Sequence, residues 1–342
     1  RPLVIRKRRK PGPKHLKVRD SGGWAMTPLT IVVTGAAGFI GREVVACARV
    51  RGHSVKAVIR SIPSEPLEWD EGVETIVSDL MNKDALADAL KGADVVVHLA
   101  ARMSGNAESQ QRDTVDATQA LCEVITAQSS MPRLVLVSSI SVYAHDAVNE
   151  NGIISENSPL ETTPEKRDIY CLNKLKQEQI SRTFEASDSM PLTVLRPGAV
   201  FGNNNVWNAH LGTQIGPLLV QFTRNGQLPI IYVRNCAQAI VKACEVQPTT
   251  PVNLIDSDPP SRSRYLRSIG WSKATVVFPW RILAFVGKHW RFSLRPGLLS
   301  PEILRARMMP VRYETTRFEN LMAGESRVSF DEAIRISCEL QA

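Results

Sequence analysis

Residues 30–45, TIVVTGAAGFIGREVV, leave the backbone few choices: a short β-branched run, three glycines at intervals of three, then a helical pattern. A continuous apolar run of this length reads as a strand covered on both faces. Gly35, Gly38 and Gly41 fall on the turn that follows, where a missing side chain permits a sharp bend and close packing. The alternation then repeats. Runs at 54–59, 73–78, 94–100, 133–139, 192–197 and 252–255 read as strands, with helical patterns at 39–51, 84–91, 106–129, 168–186 and 234–246. This order predicts an α/β fold, a doubly wound parallel sheet with helices on both faces. Beyond Phe201 the regularity fades. Residues 203–229 and 257–342 are predicted to form a smaller, mainly helical lobe, with 230–256 returning to a main domain at 29–202.

The glycine spacing is G-x-x-G-x-x-G rather than G-x-G-x-x-G, but the physical logic is the same. Gly38 lets a pyrophosphate approach the backbone, and the helix N-terminus offers free N–H groups and a favourable dipole. A dinucleotide is therefore expected here. The second strand ends in Arg60, where an acid would accept from ribose hydroxyls. A guanidinium cannot accept but can clamp a 2′-phosphate, which favours NADP over NAD; the competing reading is a solvated strand-end charge.

The net charge of +8 raises nucleic acid as a partner, but its source argues otherwise. Residues 1–20 hold nine Lys or Arg and one Asp, and without them 33 basic residues face 33 acidic ones. Residues 1–28 are thus expected to be a basic, disordered tail, interrupted by Pro11 and Pro13. Met26 opens MTPLTIVVTG, so residues 1–25 read as an upstream extension rather than a nucleic-acid arm. No apolar run suits a membrane span. The six cysteines show no close pairing, and the expected compartment is cytoplasmic. The six histidines show no metal-ligand spacing, and no metal is expected.

In YCLNK, Tyr170 and Lys174 stand four apart and share a face if the segment is helical. A cation beside a phenol favours the phenolate and can make tyrosine a proton donor and acceptor near neutrality. An accidental surface pair gives the same pattern, so the rest of the chain has to decide.

Taken together with SDL (78–80), HLAA (98–101), VSSISVYA (137–144) and LRPGAVFG (195–202), these motifs resemble the extended short-chain dehydrogenase/reductases, the NAD-dependent epimerase/dehydratase family. The resemblance covers roughly residues 29–335 and implies a Rossmann-type fold and an enzyme working by hydride transfer. It implies Tyr170 as general acid/base, Lys174 as the group that lowers its pKa and binds the nicotinamide ribose, and Ser139 as the hydroxyl on the substrate oxygen. Ser138 competes for that last role. Cofactor contacts would fall on Gly35, Ala37, Gly38, Phe39, Ile40 and Gly41, on Arg60, on Asp79 and Leu80, and on Leu99, Ala100 and Ala101. Val137, Tyr170, Lys174, Pro197 and Val200 would complete them. Two departures stand out. Thr114-Val115-Asp116-Ala117-Thr118 replaces the family's N-V-x-G-T, and Ser139-Ile140-Ser141 lacks the acids of a sugar-nucleotide dehydratase.

The resemblance implies a small-molecule substrate and allows a homodimer. Nucleotide-linked sugar epimerisation or keto-reduction is the first expectation. The alternatives are a carbonyl reductase or 3β-hydroxysteroid-dehydrogenase-like enzyme, then a non-catalytic nucleotide sensor. Between Ser261 and Arg317 lie twelve basic residues and two acids, so Arg295 or Arg312 is a candidate for a substrate diphosphate. FPWRILAFVGKHWRF (278–292) reads as lobe core, as the wall of an apolar pocket, or as a membrane-surface stretch.

Overall fold

A computed structural model describes residues 3–5, 27–62, 69–203, 205–289 and 300–339. Seven strands run parallel: β1 Thr30–Thr34, β2 Ser54–Ile59, β3 Val73–Val77, β4 Val95–His98, β5 Arg133–Val137, β6 Leu192–Pro197 and β7 Val252–Leu254. Their spatial order is β3-β2-β1-β4-β5-β6-β7. The order reverses between β1 and β4, and in such sheets ligands bind outside the strands' carboxyl ends at that point. Leu3–Ile5, inside the segment expected to be a disordered tail, pairs antiparallel with β3 at the sheet edge. Residues 1–2 and 6–26 of that tail, Arg295 and 290–292 lie outside the described residues.

The strands carry apolar residues toward both faces because both are covered. Ile31, Val33, Val95, Val97, Val135 and Val137 pack with α1 (Phe39–Val50) and α6 (Val233–Val246). Val32, Val96, Leu134 and Leu136 face the other way, into the layer of α2 (Lys83–Leu90), α4 (Ala117–Thr126) and α5 (Ile169–Asp188). Between α3 (Ala107–Gln110) and α4 the helix is wound as a π-turn, Gln111–Asp116. Cys122, Cys171, Cys236 and Cys244 are buried, and the described cysteines form no disulfide.

The second lobe is not purely helical. Beside α7 (Arg262–Ser268), α8 (Trp280–His289) and α9 (Pro301–Met308) it holds a three-stranded sheet of Thr213–Ile215, Leu218–Gln221 and Thr275–Val277. Phe318 and Leu321 of α10 (Thr316–Leu321) return to the first core. The apolar stretch divides: Trp280 is buried, whereas Phe278, Ile282 and Phe285 are exposed. Among the described residues no helix is long and apolar enough to cross a membrane.

Candidate active site

The tyrosine–lysine pair lies at the start of α5, held there by its N-cap. Asp168 accepts from the Cys171 amide at 2.9 Å through one oxygen and from Arg307 at 2.7 Å through the other. The first bond satisfies a free helix-end donor; the second ties α9 of the smaller lobe to the turn that carries Tyr170.

Tyr170 lies beside Ser139, whose hydroxyl favours the phenolate and which follows β5 in extended conformation. Ser139 also caps the tight turn Ile140–Val142, accepting from the Ser141 amide at 3.2 Å. Ser138 is engaged elsewhere, donating to Glu178 at 2.5 Å. Behind it lies a buried polar array. Arg196 grips Glu178 through two nitrogens at 2.9 and 2.7 Å and donates to the Tyr143 hydroxyl at 3.0 Å. Tyr143 in turn donates to Asn253 at 2.6 Å.

Lys174 is buried, and its Nζ donates to the Val137 carbonyl at 2.9 Å and to Gln177 at 3.0 Å. Burial lowers its pKa to about 8, opposed by nearby Glu178. The sequence led us to expect that this cation draws the Tyr170 phenol downward. The folded chain gives the opposite direction. Burial pushes Tyr170 above its ordinary value, and the nearby Ser139 hydroxyl is the influence that pulls it back. Two of the ammonium's three donors go to Val137 and Gln177, and at the phenol desolvation is the larger influence. Gln177 also bonds the Thr118 hydroxyl at 2.7 Å, and His98 lies between Thr34 at 2.7 Å and Thr118 at 3.0 Å. Thr114, where the family pattern has Asn, accepts from the Arg102 amide at 2.9 Å.

The glycine turn suits a pyrophosphate. Gly35 has φ +69°, and a Cβ there would meet the Ala100 amide nitrogen at 2.9 Å. At Gly41 an added Cβ would stand 2.3 Å from the Gly35 carbonyl oxygen. No side chain caps α1 and its first turn holds no acid, which leaves its N–H groups open to an anion. Ala37, Phe39 and Ile40 form the same turn, and Leu99, Ala100 and Ala101 follow β4 directly against it. Val137 ends β5, Pro197 ends β6, and Val200 lies in the short strand Ala199–Phe201 just after. Arg60 follows β2 but is paired with Asp113 of the π-turn. Asp79, after β3 and beside Leu80, accepts from the Met81 amide at 3.0 Å and from Arg112 at 2.6 Å. Arg102, Arg112, Asp113, Asp168, Gln177 and Arg307 were not singled out in the sequence. Their meetings depend on a cap, a π-turn and an inter-lobe bond that no local pattern announces. In the lobe, Arg312 is exposed. A cavity of about 910 Å³ runs along Leu172, Leu175, Gln179 and Arg182, away from the Ser139–Tyr170 contact.

A doubly wound sheet with an anion-receptive glycine turn at its switch point defines a dinucleotide-binding α/β protein. The model of the NAD dependent epimerase/dehydratase family matches residues 31–254, and the chain belongs to that family. It is 29% identical over 187 residues to the Dictyostelium discoideum sterol-4-alpha-carboxylate 3-dehydrogenase, decarboxylating, over 51% of this chain and 54% of that one. Against the 3 beta-hydroxysteroid dehydrogenase/Delta 5-->4-isomerase of Mycobacterium tuberculosis it is 24% identical over 308 residues, 79% of each chain. The chain thus spans about half the length of the first curated relatives, and more of others. Among solved structures, UDP-Glucuronic acid 4-epimerase from Bacillus cereus with NAD superposes with TM-score 0.68 at 18% identity, over 91% of this chain and 98% of that one. An Agrobacterium tumefaciens short-chain dehydrogenase/reductase superfamily protein with bound NAD gives 0.69 at 21% identity, over 91% and 97%.

Proposed function

We propose that this protein is an NAD(P)-dependent oxidoreductase that interconverts a secondary alcohol and a ketone. Tyr170 passes the proton to and from the substrate oxygen, Ser139 hydrogen-bonds that oxygen, and Lys174 holds the nicotinamide ribose. The carrying observation is that Tyr170 stands beside the Ser139 hydroxyl, with Lys174 one helical turn on against the last carbonyl of β5. The cofactor supplies hydride donation and acceptance. The chain's own part is orientation and proton transfer, and the desolvated phenol is suited to remain protonated until a carbonyl oxygen needs its proton. The glycine turn and α1 would hold the pyrophosphate, and Arg60 favours NADP(H) over NAD(H).

For the substrate, an apolar molecule of the hydroxysteroid class is supported by the relatives matched over 79% of both chains. The cluster joining Ile140 and Tyr143 to Trp280, Leu304 and Met308 supplies an apolar neighbourhood beside the serine turn. A nucleotide-linked sugar is the second reading, favoured by likeness to the UDP-Glucuronic acid 4-epimerase fold. Incubation with NADP⁺ or NAD⁺ and a panel of 3β-hydroxysteroids, followed by reduced-cofactor absorbance, tests the first. Chromatography of UDP-sugars after incubation tests the second, because an epimerase returns its hydride and leaves absorbance unchanged. Turnover of neither class, or turnover that survives Tyr170→Phe unchanged, overturns the reading.

A further inference from the structure

Three arginines from three separate segments converge on one carboxylate at the rim of the cofactor cleft. Arg60 follows β2, Arg102 stands in the loop after β4, and Arg112 lies in the π-turn. All three donate to Asp113: Arg60 and Arg102 to one oxygen, the latter at 2.7 Å, and Arg112 to the other at 2.7 Å. Arg112 bridges onward to Asp79, after β3, at 2.6 Å. The cluster therefore spans the carboxyl ends of β3, β2 and β4, on either side of the glycine turn that ends β1. That rim is where an open α/β sheet takes its ligand.

The charges do not cancel. Three guanidiniums face two carboxylates, and exposure separates them: Arg60, Arg102 and Arg112 are 59%, 37% and 47% exposed, Asp113 only 10%. The acid lies beneath and the cations present their outer edges to solvent. Arg60 spends a single nitrogen on Asp113, so the rest of its planar fork remains to meet an anion. The π-turn is what makes the arrangement. Its extra residue per turn re-aims Arg112 and Asp113 relative to a regular helix, and such turns recur at functional positions.

We infer that Arg60, Arg102 and Arg112 form one anion subsite for a phosphate monoester on the cofactor's adenosine ribose, with Asp113 as a built-in counter-charge that sets how strongly the subsite discriminates. This rests on the cofactor reading above and extends it from one arginine to three plus a restraining acid. The dianion of a phosphate monoester offers more acceptor oxygens than the carboxylate and meets the three forks from the solvent side. Asp113 keeps the forks aligned when the subsite is empty and weakens their net pull when it is filled.

Calorimetric titration of the full chain with 2′,5′-ADP and 5′-AMP tests this without any substrate, because the two probes differ by the 2′-phosphate alone. The expected wild-type result is tighter 2′,5′-ADP by tenfold or more. Arg102→Ala and Arg112→Ala should each cut that ratio several-fold, with 5′-AMP affinity as the internal control for loop damage. Asp113→Asn keeps shape and an acceptor but removes the charge, so the ratio should widen several-fold. An unchanged ratio in the Arg102 and Arg112 variants would assign any selectivity to Arg60 alone and overturn the subsite. A ratio that narrows or stays fixed in Asp113→Asn overturns the restraining role. Equal binding of both probes by the wild type sinks the subsite while leaving hydride transfer with NAD standing; loss of that chemistry is read separately, from Tyr170→Phe turnover.

Discussion

At Tyr170 burial, joined by smaller pushes from Asp168 and Cys171, exceeds the opposing pull of the Ser139 hydroxyl. On the proposed mechanism, Tyr170→Phe keeps the ring and removes the transferable proton. Turnover measured on the substrate that the panel identifies should then fall by ~10²–10⁴-fold, while cofactor affinity from fluorescence titration stays within about twofold. Lys174 gives a pH prediction with a definite sign. Its pKa is lowered to about 8 by burial, so the ammonium is present below that pH and lost above it. Cofactor affinity should therefore weaken as pH rises through about 8, and Lys174→Met should bind weakly with a flat profile. A wild-type profile flat from pH 6 to 10 would remove Lys174 from cofactor holding. The two residues were legible in the sequence because i and i+4 share a helix face. Their electrostatic relation was not, because it depends on which acceptors the ammonium reaches first: here the Val137 carbonyl and Gln177, which is three residues along the same helix. The resemblance preferred Ser139 with Ser138 as its competitor, and only the fold shows that Ser138 is engaged by Glu178.

Among the elements, α5 is the one on which the proposed chemistry depends, and two contacts fix it. Asp168 caps its first turn and joins Arg307, so Asp168→Ala should cost about 1–2 kcal/mol of stability in urea unfolding and loosen the lobe against the site. Asp168→Asn, which retains an acceptor for the cap, should recover most of the stability. Deeper in, Glu178 and Arg196 are a buried ion pair, each side chain 3% exposed or less. Removing one charge strands the other. Glu178→Ala should destabilise by roughly 3–5 kcal/mol, and pairing it with Arg196→Met should restore part of that loss. Thermal melts of the single and double variants decide the point; equal damage in both would mean that packing rather than stranded charge is responsible. The seven parallel strands lie where their apolar runs predict, because a strand covered on both faces leaves an unbroken β-branched signature. The π-turn left none. The run 106–129 is helical in pattern throughout, and the extra residue at Gln111–Asp116 is registered only when Thr114 and Thr118 find their partners.

For the molecule as a whole, acid is the stress to which buried groups are most sensitive. His98 and His145 are held near pKa 3 and His210 near 4, all by burial, against an ordinary 6.5. Below about 6.5 the unfolded chain takes up protons that the folded chain refuses, so stability falls as pH drops toward 4. Asp256 runs the other way: raised to about 6 by burial, it binds its proton earlier in the folded state. Among these four groups, three against one leaves an uptake of about two protons on unfolding, or roughly 3 kcal/mol per pH unit between pH 6 and 4. Carboxylates that burial would raise but their ion pairs hold low, such as Glu245, add to it toward the acid end. Urea midpoints across that range should fall steeply, and a flat series would show that the three imidazoles gain charge without unfolding. The buried thiols give the same molecule a clock. Burial raises the pKa of Cys171, and of Cys236 and Cys244 inside α6, so each is shielded both from reagent and from ionisation. With a stability of ~10 kcal/mol, openings of the core would expose the α6 thiols only about one part in 10⁷ of the time. Cys171 adjoins Tyr170 and donates to the Ser141 carbonyl at 3.2 Å, so it is freed by fraying of the first α5 turn alone. Timed alkylation of the native chain would then separate two tempos, a fast one for the turn that carries Tyr170 and a slow one for α6, and added cofactor should slow the first far more than the second.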